Sequence, residues 1–145
     1  MHTLENTFKA LGNLADDAAA VHTMTIIEEQ VPGAETLTYK VFDFLPAEAT
    51  APITVATLIT GGRVKGLSRE RQLRRLPHRR CLLIGEAVVP EASQAARSFN
   101  QSWPCELQLL NNDCHSHTTA LVQHLTGRKP KLEKLRPLQR RPLWM

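Results

Sequence analysis

The pattern of apolar and polar positions changes character at residue 21. Residues 1–20 read as a polar lead-in with a short helix over 4–14. Residues 21–27 (Val-His-Thr-Met-Thr-Ile-Ile) are rich in β-branched side chains and predict a strand. Residues 36–44 predict a second strand, with apolar and polar positions alternating from Leu37 onward. Between them, Val31-Pro32-Gly33-Ala34 puts Pro and Gly where a type II turn needs them, so the two strands predict a β-hairpin. A turn centred on Pro32-Gly33 sets His22 directly opposite Asp43.

Further along, residues 53–60 fit either a short helix or a strand, and Gly61-Gly62 breaks them off. The Arg-rich stretch 69–76, opened by Gly66 and Ser68 and stopped by Pro77, predicts a basic helix. Residues 80–85 predict a buried strand. Pro90-Glu91 opens a helix to about residue 103, with Ala92, Ala95, Ala96 and Phe99 on one face. A short strand over 106–110 follows. Asn111-Asn112-Asp113 then supplies cap residues ahead of a helix that starts near Cys114 and stops at Gly127. Short strands interleaved with helices in this order predict an α+β domain over 18–127, a small antiparallel sheet packed against three or four helices. Residues 1–17 form the lead-in, and 128–145 a basic tail containing Pro130, Pro137 and Pro142.

Composition narrows the class. A chain of 145 residues with 42% hydrophobic and 22% charged positions can build one core without staples. It has no apolar run of about 18 residues and no basic-then-apolar N-terminal segment. Its three cysteines are widely spaced with no CxxC pair, which points to a reducing compartment. The expectation is a soluble cytoplasmic protein, with the nucleus as the alternative.

The net charge of +4 conceals two concentrations. Eight basic residues lie between Arg63 and Arg80 and seven more after Gly127, leaving only Lys9, Lys40 and Arg97 elsewhere. Such patches steer acidic partners, an acidic protein or, through the tail, an anionic membrane surface. Nucleic acid is the less favoured partner, because aromatic residues make up only 5% of the chain and base stacking needs them.

The candidate chemistry centres on Cys114. A cysteine in the first turn of a helix feels about half a positive charge, which favours thiolate and can bring its pKa into the range of roughly 3.5–7.5. It would be a nucleophile, and a nucleophilic thiol needs a base. Of six histidines, His2 and His78 sit in unpromising segments, and His124 is ten residues along the helix. His115 points about 100° away from Cys114, whereas His117 shares its face. His22 is the stronger base, a polar ring in an otherwise apolar, Thr-rich strand with Asp43 across from it to hold its tautomer. A one-residue slip of the hairpin would undo that pairing. Cys81 and Cys105 read as packing residues. No metal or cofactor is expected, since Cys114 and His115, at adjacent helical positions, point apart and no fourth ligand has convincing spacing.

Two segments carry a family resemblance, Val21-His22-Thr23 and Asn112-Asp113-Cys114 running through the helix to Leu125-Thr126-Gly127. Together they resemble the histidine and cysteine motifs of the PPPDE family of thiol isopeptidases, over roughly residues 18–127. The related lecithin:retinol acyltransferase group likewise has an early strand histidine and a late helical cysteine. The resemblance implies a circularly permuted papain-like fold with histidine before cysteine. It also implies a cysteine hydrolase of isopeptidase type, with an acidic, ubiquitin-like protein as a fitting substrate. Lipid acyl transfer on the same scaffold, or an inactive binding module, are the alternatives. By analogy with papain-like sites, Gln108, six residues before Cys114, would offer an amide to the oxyanion. The chain departs from the pattern in having Asp113 where the family usually has Asn, His117 where it has an aromatic residue, and no glycine-rich stretch after the histidine strand.

Overall fold

The computed structural model describes residues 2–7 (as backbone), 21–30, 33, 36–77 and 81–130. The described chain is an α+β unit. Its strands are β1 (His2–Thr7), β2 (Val21–Gln30), β3 (Leu37–Pro46), β4 (Val64–Leu73), β5 (Cys81–Leu83) and β6 (Glu106–Leu107), and its helices are α1 (Pro52–Ile59), α2 (Ala92–Ser102) and α3 (Cys114–Thr126). The strands form one antiparallel sheet in the order β5-β1-β2-β3-β4-β6.

Strands β2 and β3 lie in the middle, which explains their composition. Residues 22–27 and 41–46 are buried without a break, because both faces of these strands are covered. The two faces divide by parity. Ile27 and Phe42 point toward α2 and α3, meeting Ala96, Leu121, Val122 and Leu125. Met24, Ile26 and Val41 point the other way, packing with Tyr39, Leu73, Leu76 and Cys81. A third cluster of Phe44, Leu58 and Leu107, flanked by Val64, Trp103 and Leu109, closes the end where α1 and β6 meet.

Two expectations are corrected. Residues 69–76 are not a basic helix, since 64–73 form a strand whose residues 66–73 pair antiparallel with β3. The Arg-Glu-Arg-Gln-Leu run has good helix formers, but pairing with β3 overrides that weak preference. In the strand, Arg69 and Arg71 lie on one face and Glu70 on the other, where Arg97 of α2 bonds both its carboxylate oxygens. Residues 4–7, expected to begin a helix, belong to β1; 8–14 lie outside the described residues. The undecided segment at 53–60 is helical, begun by Pro52 in its first turn. The strands expected over 80–85 and 106–110 are shorter, at Cys81–Leu83 and Glu106–Leu107. The tail beyond Pro130 lies outside the described residues.

The hairpin forms with a shifted register. Thr25 pairs with Phe42 and Ile26 with Val41, so paired residue numbers sum to 67. The expected turn centre required 65. The centre of the connection therefore falls one residue later, with Gly33 at a φ of 84°. A partner shift of two positions along β3 returns every side chain to its own face, because the strand period is two. His22 and Asp43 become diagonal rather than direct neighbours, still on the same face.

Candidate active site

The start of α3 is built by Asp113. Its side chain accepts the Ser116 amide at 3.0 Å, and the Ser116 hydroxyl oxygen accepts the Asp113 amide at 3.4 Å, which makes a reciprocal capping box. The second Asp113 oxygen accepts the Leu110 amide at 2.9 Å, drawing in a turn in which Leu110 takes a φ of 68°. Gly127, at a φ of 72°, ends the helix as expected. The Asp113 carboxylate is thus consumed in capping. Asp113→Ala is expected to cost about 1 kcal/mol of stability in urea unfolding. Asp113→Asn should keep most of the cap while removing a charge beside Cys114, and should speed alkylation of that thiol.

Cys114 is the first residue of α3 and is half-buried, with its thiol facing the backbone and hydroxyl of Thr23. Burial pushes this thiol up to about 12. The Thr23 and His115 groups favour thiolate and the Asp113 charge opposes it, but desolvation outweighs them all. The helix-terminal half-charge therefore does not produce the low pKa expected of it. The resting group is a neutral thiol.

His22 and Asp43 do meet, the ring Nε2–H donating to Asp43 Oδ2 at 2.8 Å with both residues buried. Two arginines complete the cluster. Arg69 donates through Nε at 3.0 Å and Nη2 at 2.6 Å, and Arg71 through Nη2 at 3.5 Å. Burial alone would raise the Asp43 carboxyl, but hydrogen bonds from His22 and Arg69 bring it down to about 2. This cluster lies on the Met24, Ile26 and Val41 face of the sheet. Cys114 meets Thr23, the next residue along β2, which points to the helix face. Neighbouring side chains on a strand point to opposite faces, so Thr23 is directed to α3 and Cys114 while His22 joins Asp43 on the other face.

Gln108 does not present a spare donor. Its amide nitrogen donates to the Gly61 carbonyl at 2.9 Å, and its oxygen accepts from Asn111 at 2.9 Å. It helps line a cavity of about 390 Å³ with Arg63, Trp103 and Asn112 among others, and it braces the loop leading to α3.

The residue that sequence reasoning passed over is His117. It is 0% exposed, and its ring lies 6.1 Å from Phe44 in a stacked arrangement, with Trp103 edge-on at 5.2 Å and Phe99 at 5.7 Å. Its Nε2 is 2.6 Å from Asn100 Oδ1. Burial lowers its pKa to about 4, so the ring is neutral at pH 7. The signal available in the sequence was its place three residues after Cys114, on the same helical face.

Of the basic stretch, Arg79 and Arg80 lie outside the described residues. Arg63 pairs with Glu106, and Arg69 and Arg71 with Asp43, while Lys65, Arg74 and Arg75 are exposed. Among the described residues, no group of three or more His, Cys, Asp or Glu side chains is placed to hold a metal ion, and no helix is long and apolar enough to cross a membrane.

Fold and site together define a small α+β protein whose central cysteine opens a capped helix laid against an antiparallel sheet. The chain matches no family model, no curated protein and no solved structure.

Proposed function

We propose that the chain is a cysteine hydrolase of isopeptidase type on a permuted papain-like scaffold, in a closed resting form. The observation that carries this reading is Cys114 itself, the first residue of a helix with a complete capping box, its sulfur met by the His115 and Thr23 groups. The order of a sheet first and a helical cysteine last agrees with it. Cys114 would attack a carbonyl carbon, and the amide nitrogens at the start of α3 would face the developing oxyanion. Lys65, Arg74 and Arg75 would draw an acidic protein toward the sheet edge.

A second reading, a non-catalytic binding module, is favoured by the thiol held near 12. Incubation with a ubiquitin-like protein bearing a C-terminal electrophile separates the two. The hydrolase reading expects an adduct that disappears in Cys114→Ala. No adduct, with the exposed Cys105 still alkylated by iodoacetamide, would leave the binding module.

A further inference from the structure

The geometry points to His117, held by Asn100, as the base that takes the Cys114 proton. This rests on the hydrolase reading, and it replaces His22 in the role the sequence assigned to it.

The tautomer of His117 follows from its partners. Asn100 Nδ2 donates to the Arg69 carbonyl at 3.0 Å, which fixes the amide with Oδ1 toward the ring. An amide oxygen only accepts, so the hydrogen sits on His117 Nε2 and Nδ1 carries a bare lone pair. That Nδ1 is buried and has no hydrogen-bond partner. A catalytic role is one recognised reason for a buried polar atom left in this state.

Position supports the same conclusion. Residues three apart on a helix are neighbours, with Cβ atoms about 5–6 Å apart. Helical side chains also lean toward the N-terminus, so the His117 ring overlies the turn that begins at Cys114. Phe44, Phe99 and Trp103 pack around the ring and hold it in place. His22 has its Nε2 committed to Asp43, on the face of β2 opposite Thr23. Rotation about the Cys114 Cα–Cβ bond would carry the thiol from Thr23 toward Nδ1.

The proton on Sγ passes to Nδ1, and the thiolate pair forms a C–S bond to the substrate carbonyl while its π pair moves to oxygen. Return of that pair expels the amine, which takes the proton from Nδ1. Water then attacks the thioester, giving one proton to Nδ1, and the departing sulfur recovers it. The products are a carboxylic acid, an amine and the starting thiol.

The test uses the full chain with Cys81→Ser and Cys105→Ser, so that iodoacetamide reports Cys114 alone by mass spectrometry across pH 5.5–9. His117→Phe keeps an aromatic ring in the cage and removes the lone pair. It is expected to melt close to the parent and to react about a hundredfold more slowly at pH 7. Asn100→Ala should slow the reaction by a smaller factor and shift its pH profile. If His117→Phe or His117→Gln reacts as fast as the parent, or faster through loosened packing, His117 is a packing residue and the inference fails. If the folded parent is inert even at pH 9 and reacts only in urea, the hydrolase reading itself fails.

Discussion

Replacing Asp43 with alanine is expected to cost about 3–5 kcal/mol, the effect of removing one partner from a buried charged cluster. Against a total stability of about 5–15 kcal/mol for a domain, that is enough to leave much of the protein unfolded near 37 °C. The carboxylate is 0% exposed and accepts from His22, Arg69 and Arg71. The Arg69 and Arg71 side chains are 31% and 40% exposed, so they can turn to water when the carboxylate is gone. The His22 ring, 4% exposed, cannot. Its stranded N–H should dominate the loss. Asp43→Asn keeps the volume and one accepting oxygen, and should fall between the parent and Asp43→Ala in urea midpoint. A loss below about 1 kcal/mol for Asp43→Ala would show that the cluster contributes little.

The same residue sets an acid limit. Its folded pKa of about 2 lies below the ordinary 3.8, so the folded state binds this proton less readily than the unfolded chain does. The resulting stabilisation is present above pH 3.8 and is lost as pH falls through about 2, amounting to roughly 2 kcal/mol at 1.36 kcal/mol per pKa unit. Urea midpoints taken from pH 5 down to pH 2 should decline in the parent, and less so in Asp43→Asn.

The elements that could be read from the sequence are those whose signal is local. Asp113 and Gly127 mark both ends of α3 by their own chemistry, and the β-branched run in β2 has few alternatives. The His22–Asp43 contact was legible even though the register was not, since a two-position shift preserves side-chain face. Local preference misled at β4, where the deciding partner is β3, its paired residues 20 to 34 positions upstream. The site is harder to read for a related reason. A strand histidine and a helical cysteine look compatible in sequence, but whether His22 or Thr23 meets the helix depends on which face α3 covers, and no local signal states that. His117 shares a helical face with Cys114 in sequence, but spacing along one helix says nothing about Asn100, which comes from α2 and gives the ring its tautomer.

Gly66→Ala should be the most damaging small substitution on the helix side of the sheet, at about 3 kcal/mol. Gly66 stands opposite Pro46 in the β3–β4 ladder, one diagonal step from Phe44. A Cβ there would fall inside the Cζ and Cε1 atoms of the Phe44 ring and 3.1 Å from the Cys105 carbonyl, which already accepts the Gly66 amide at 2.6 Å. Phe44 has nowhere to go: it is 0% exposed, edge-on to Trp103 and stacked on His117. Replacing glycine by alanine normally gains about 0.4–1 kcal/mol by restricting the unfolded chain, so the steric term must exceed that before any loss appears. The displaced ring would also press on His117, so Cys114 reactivity should change along with stability. A double-mutant cycle with Phe44→Leu checks the cause. If the clash is with the ring, the pair should be more stable than the sum of the single losses predicts, by about 1 kcal/mol or more. Simple additivity would place the strain at the Cys105 carbonyl, and a neutral Gly66→Ala would mean that neither neighbour resists.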